Sequence, residues 1–209
     1  MNGAAHLTAD FNHSGSVVAA FQDLTTTQVK YAYLSGMNSW SPTLAISGAN
    51  RGQGVTIRLD PTTGSPAVAY EDALNNGVYY ASCNATPAVC AGGGWTASLV
   101  ETALGTSTLG ASSGQLLSTS LNFDPDGNVF LLYPRGAGKD GNLLLNTNRS
   151  GSFSSNIIAK GSNAALSGTP ALNFGIAGWG VQSATNAAGS VSGAYLGPGN
   201  WLYSISCGD

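Results

Sequence analysis

Several short stretches of this chain have the residue types and spacings that enzymes and metal sites use. Each also has a competing reading in turn or strand chemistry. GASSG at 110–114 has the GxSxG spacing of a nucleophile elbow. That elbow needs a helix after the serine to hold it exposed on a strained turn. The residues that follow, LLSTSLNF at 116–123, alternate as a strand does, so Ser112 is not read as a nucleophile. GAGKDG at 136–141 matches GxGxxG, but a dinucleotide site needs that loop to open a helix that receives the pyrophosphate, and here it joins two strands.

DPDGN at 124–128 puts Asp124, Asp126 and Asn128 at the first three ligand positions of a calcium loop. Glycine and glutamate should follow at positions six and twelve, where Val129 and Arg135 stand, so turn chemistry explains these residues better. His6 and His13 have no accompanying cluster and support neither a metal site nor a triad. Glu71 and Asp72 are adjacent, so on a strand they point opposite ways and cannot form the facing pair of a glycosidase. No cofactor is called for.

Composition narrows the classes further. Charged residues make up 8% of the 209 residues while hydrophobic ones make up 43%, so the surface is built from Ser, Thr, Asn, Gln and Gly. The seven Lys and Arg are scattered, which excludes the basic footprint that nucleic acid requires. No apolar run is long enough to span a membrane as a helix. The opening MNGAAHLTAD is not a secretory leader, and the reading adopted places such a leader upstream of Met1. Cys83 and Cys90 flank six residues that include a proline, close enough for a local disulfide, which favours an oxidising, extracytoplasmic compartment.

The elements that must position any site come from an internal repeat. GSVVAAF at 15–21, GSPAVAY at 64–70, GNVFLLY at 127–133 and GSVSGAY at 189–195 each place an aromatic residue six positions after a glycine: Phe21, Tyr70, Tyr133 and Tyr195. Before each glycine runs an alternating segment ending near Asp or Asn (HLTADFN, VTIRLD, STSLNFD, VQSATN), and after each aromatic comes another (VKYAYL, VYYASC, LLLNTN, LYSISC). An aromatic then opens a fourth run at Trp40, Trp95 and Phe153. Each repeat is therefore four short antiparallel strands, A to D, and the expected fold is all-β: a β-propeller-like array of four blades with the last one incomplete. The repeats fall at about 4–47, 54–101, 116–160 and 180–209 of a single domain. The four aromatics are expected to be equivalently buried, and Trp40 and Trp95 to pack between blades.

The second repeat, with Leu59, Asp60, Pro61, Gly64, Tyr70, Asp72, Cys83, Cys90 and Trp95, resembles repeat propellers of secreted and surface-displayed proteins of predatory and gliding deltaproteobacteria. The resemblance covers nearly the whole chain. It implies an extracellular or cell-surface location and a scaffold or adhesive role, possessed by a protein that is not an enzyme. It names no ligand.

In such an array the B-to-C and D-to-A connections emerge on one face. Here they carry more than half of the charged residues, together with Trp179 and Trp201 in Gly-rich segments. The expected function is non-catalytic recognition of a surface ligand, glycan or envelope material, as at the tip of a surface fibre. Trp179 and Trp201 would be stacking surfaces, and Asp72 and Arg135 polar contacts. The competing readings are a structural spacer and, further off, a hydrolase or lyase on the same scaffold. The fourth repeat stops after strand C, with Cys207 in the place of Cys83, so its edge at 201–206 is expected to be covered, for example by a second protomer in a homo-oligomer.

Overall fold

The computed structural model describes residues 4–12, 14–46, 51–72, 77–102, 119–134, 142–159, 179–196 and 202–207; for 42–46, 51, 179, 180, 196 and 207 it describes the backbone alone. Its strands form four antiparallel sheets, each made of strands consecutive in sequence. Blade one is β1 (Ala4–Phe11), β2 (Val17–Asp23), β3 (Val29–Gly36) and β4 (Ser39–Ile46). Blade two is β5 (Arg51–Leu59), β6 (Pro66–Asp72), β7 (Gly77–Ser82) and β8 (Thr96–Thr102), with the one-turn helix α1 (Pro87–Cys90) between its last two strands. Blade three is β9 (Ser120–Phe123), β10 (Val129–Pro134), β11 (Leu143–Thr147) and β12 (Ser154–Ala159). Blade four has three described strands, β13 (Trp179–Thr185), β14 (Val191–Leu196) and β15 (Leu202–Cys207). The expected all-β propeller-like array is the observed fold.

The repeat glycine owes its place to one turn used four times. Gly15, Gly64, Gly127 and Gly189 have φ of 80°, 71°, 83° and 81°, a left-handed conformation in which a side chain is strained. Each donates its N–H to the carbonyl of Asn12, Asp60, Asp124 or Asn186. The side chain of that same Asx residue accepts from backbone N–H groups two to four positions on: Ser16, Thr62, Asp126 and Asn128, and Ala188 and Ser190. DPDGN is thus a turn. Asp124 gives Oδ1 to its own turn and Oδ2 to Asn128 and Arg149, at 2.9 and 3.1 Å.

The core lies in the seams between blades. Because strand side chains alternate, each sheet has a near face toward the preceding blade and a far face toward the next. Val18, Ala20, Val29 and Tyr31 on the far face of blade one pack against Val55, Ile57, Leu59, Val68 and Tyr70 on the near face of blade two. Ala67, Ala69 and Val78 meet Leu121, Phe123, Leu131 and Tyr133 in the second seam; Phe130, Leu132, Leu143 and Leu145 meet Val181, Val191 and Tyr195 in the third. Tyr70 and Tyr133 are fully buried and Tyr195 nearly so, as the repeat implies. Phe21 is only half-buried, because its near face belongs to the first blade. Trp40 departs from expectation for the same reason: Trp95 packs on Tyr31 with centroids 5.1 Å apart, whereas Trp40 is 44% exposed.

Polar side chains join the innermost strands. The N–H groups of Ile57 and Leu59 lie on the free edge of β5, and Thr8 and Asp10 of blade one accept from them at 3.0 and 2.7 Å. Between blades two and three, the Thr119 N–H donates to the Gly54 carbonyl and the Thr56 hydroxyl to the Thr119 carbonyl. Between blades three and four, the Ser183 N–H donates to the Ser120 hydroxyl at 2.9 Å and the Asn122 amide to the Ser183 carbonyl at 3.0 Å.

Cys83 and Cys90 form the expected disulfide. It places α1 where the Pro87 carbonyl accepts from the Tyr31 hydroxyl across the first seam, at 3.0 Å.

Three outcomes follow. Tyr70→Ala should lower unfolding free energy by about 3–5 kcal/mol, the cost of an aromatic cavity, while Leu24→Ala on an exposed turn should change it by less than about 0.5 kcal/mol, both read by denaturant titration. Alkylation without reductant, followed by intact-mass measurement, should modify one thiol rather than three. Replacing Cys83 and Cys90 by Ser should cost about 2–3 kcal/mol, as expected for a closed loop this short.

A candidate binding site between blades two and three

Glu71 and Asp72 close β6, the B strand of blade two, and face opposite seams as their adjacency requires. Glu71 shares the alternation of Ala67 and Ala69 and so turns toward blade three. It is 1% exposed, and neither carboxyl oxygen has a hydrogen-bond partner. Burial without a partner disfavours its charge, and its pKa is raised to about 8.

A second carboxylate stands across the same sheet. Val78 of β7 lies opposite Glu71 on one side and Glu101 of β8 on the other, so the backbones of the two glutamates are two strand spacings apart, about 10 Å. A register shift in β8 carries Glu101 toward blade three. There its Oε2 accepts from the Tyr133 hydroxyl at 2.6 Å, and the Asn146 amide donates to the same phenolic oxygen. Burial first, and then the Glu101 carboxylate, raise the Tyr133 pKa, so this phenol keeps its proton. One end of the second seam therefore holds a buried unpaired carboxyl, a carboxylate held by a phenol, and an amide.

The residues singled out from the sequence have separate outcomes. Asp72 is fully buried and points into the first seam; it closes a strand rather than standing in a loop. Trp179 opens β13 opposite Leu196 instead of lying in a connecting segment, at the blade end that corresponds to that of Asp72 opposite Arg51. Trp201 and Arg135 lie outside the described residues, as do the 110–114 and 136–141 motifs and His13. The sequence reading missed the Glu71, Glu101, Tyr133 and Asn146 group. A strict two-residue alternation does not carry Glu101 across the register shift, and Tyr133 registered only as a core aromatic.

No family model matches this chain, and no curated protein matches it. Solved structures share its fold. The Aleuria aurantia lectin in complex with alpha-methyl-L-fucoside aligns over 100% of this chain and 60% of its own, at 14% identity and a TM-score of 0.58. A mutant of AofleA from Arthrobotrys oligospora aligns over 99% of this chain and 54% of its own, at 13% identity and a TM-score of 0.63. An exo-beta-1,3-galactanase from Phanerochaete chrysosporium, with galactose, aligns over 99% and 47% at 12% identity and a TM-score of 0.55. The chain thus spans about half to three fifths of these proteins, and at such identities they establish the propeller fold alone.

Glu71 gives this site a pH signature. An acid whose folded pKa lies above its unfolded value of 4.5 contributes most below that value, so stability should fall as pH rises from there to about 8 and then level off. Glu71→Gln should remove that component and be more stable than the parent protein at pH 8, measured by denaturant melts across pH. An unchanged slope would contradict the buried, unpaired state of Glu71.

Proposed function

We propose that this chain is a non-catalytic, extracytoplasmic binding module that recognises glycan or envelope material at a surface. The observation that carries the reading is the polar end of the second seam. Glu101, half-buried, presents a carboxylate held by the Tyr133 hydroxyl, which in turn accepts from the Asn146 amide, and the buried Glu71 carboxyl faces the same seam. Sugar hydroxyls can donate to a carboxylate held in this way. The disulfide is compatible with an oxidising compartment, and lectins are among the proteins that share the fold.

The ligand is placed on the face where the B strands end and the A strands begin. Trp179 and Trp201 supply stacking surfaces there, with Arg135 and, beneath the surface, Asp72 as polar contacts. These are proposals from their positions in the repeat.

One observation favours a second reading. Two carboxyl groups on one face of a blade, one with a raised pKa, are the equipment of a glycosidase, and a galactanase shares this fold. Binding is preferred because the Glu101 carboxylate is already engaged by the Tyr133 hydroxyl.

The two readings separate in one experiment. On a glycan array the parent protein should bind without releasing product. Trp179→Ala with Trp201→Ala, its fold checked by circular dichroism, should lose binding at least about tenfold, the equivalent of 1.4 kcal/mol. Undiminished binding by the double variant would remove the proposed stacking surfaces, and product release abolished by Glu71→Gln would replace the binding reading with the enzymatic one.

A further inference from the structure

The outer faces of the first and last blades carry the residues that the inner blades bury. Leu7, Phe11, Phe21 and Trp40 stand on the near face of blade one. Counted from the turn Asx, the turn glycine or the start of the fourth run, they correspond to Val55, Leu59, Tyr70 and Trp95 of blade two. Val55, Leu59 and Tyr70 are 3%, 8% and 0% exposed, whereas Leu7 and Phe11 are 66% and 75% exposed. On the far face of blade four, Leu202 holds the position of Val29, Val78 and Leu143, all fully buried, and is 74% exposed.

Two further features repeat the pattern. A side chain at Gly64, Gly127 or Gly189 would meet Asn12, Asp60 or Asp124 of the preceding blade, but one at Gly15 would meet nothing. The second concerns the inner strand. Gln182 of blade four is exposed and sits four residues before Asn186, as Thr8 sits before Asn12, and Thr8 accepts the N–H of Ile57 in the next blade. Among the described residues the hydrophobic clusters fill three seams, and none joins blade four to blade one.

We propose that these two faces are the halves of a further seam, filled by a second copy of this chain: the far face of blade four in one protomer packs on the near face of blade one in the other. Such a seam continues the three seams inside the chain. The same positions meet, Leu202 on one side and Leu7, Phe11 and Phe21 on the other. Gln182 is placed to accept an N–H from the inner edge of β1. Lys30, opposite Phe21 on the blade one face, is paired with Asp23 at 3.7 Å, and the described residues of the blade four face carry no charge, so no like charges oppose the contact. Each pairing is head-to-tail, and two copies related by a twofold axis make two identical seams and leave no face open.

Sedimentation equilibrium on the purified chain tests this. The expected mass is twice the 21.0 kDa of one chain. Phe11→Asp and Leu202→Asp alter residues that are exposed in the single chain, so each should fold, checked by circular dichroism, yet sediment as a monomer. Mixing these two variants should restore a dimer, because the intact blade four face of the first can pair with the intact blade one face of the second. A parent protein that stays monomeric at every concentration, or forms a species larger than two copies, would overturn the proposal. So would a dimer that survives either substitution, or variants that mixing fails to rescue.

Discussion

A sheet of three or four short strands has two faces and an inner edge that it cannot satisfy by itself, and this constraint organises the whole chain. The seam between blades answers both needs. Valine, leucine and tyrosine side chains lose their water there, each fully buried aliphatic side chain contributing about 1.5–3 kcal/mol. Thr8 and Asp10 meanwhile accept the N–H groups that the edge of β5 would otherwise leave to solvent. The A strand, laddered to the B strand on one side, is thus bonded on its inner edge as well without a second ladder. Short polar residues on that strand, Thr8, Asp10, Thr56, Ser120 and Asn122, link blade to blade.

The candidate site arises from the same geometry. A seam is apolar along most of its depth, and polar side chains gather where the strands end. At the end of the second seam, Glu101, Tyr133 and Asn146 satisfy one another while Glu71 is left unmet. Leaving a buried polar group unpaired costs about 1–3 kcal/mol, which the apolar contacts deeper in the seam offset.

The blades were legible because one turn recurs. A glycine held at positive φ, an Asx residue three or four positions before it and an aromatic six positions after it are local requirements, and local requirements leave a mark in sequence. What lies between elements left less. Phe21 and Trp40 have the same sequence context as Tyr70 and Trp95, and what distinguishes them is that, among the described residues, no blade packs on their side. Glu101 was hidden by a register shift that breaks the two-residue period, and its tie to Tyr133 joins residues 32 apart in sequence. Asp72 and Trp179 passed as loop residues because strand ends cannot be fixed to the residue from alternation alone.

The central claim is that side chains of the preceding blade close the inner edge of the next. Residue-resolved hydrogen exchange addresses it at Ile57 and Leu59, whose N–H groups point away from β6 toward Thr8 and Asp10. If the seam holds the array together, these edge amides exchange as slowly as the ladder amides inside blade two. Exchange at the rate of an open, water-facing strand edge, with the rest of blade two still protected, would contradict the account.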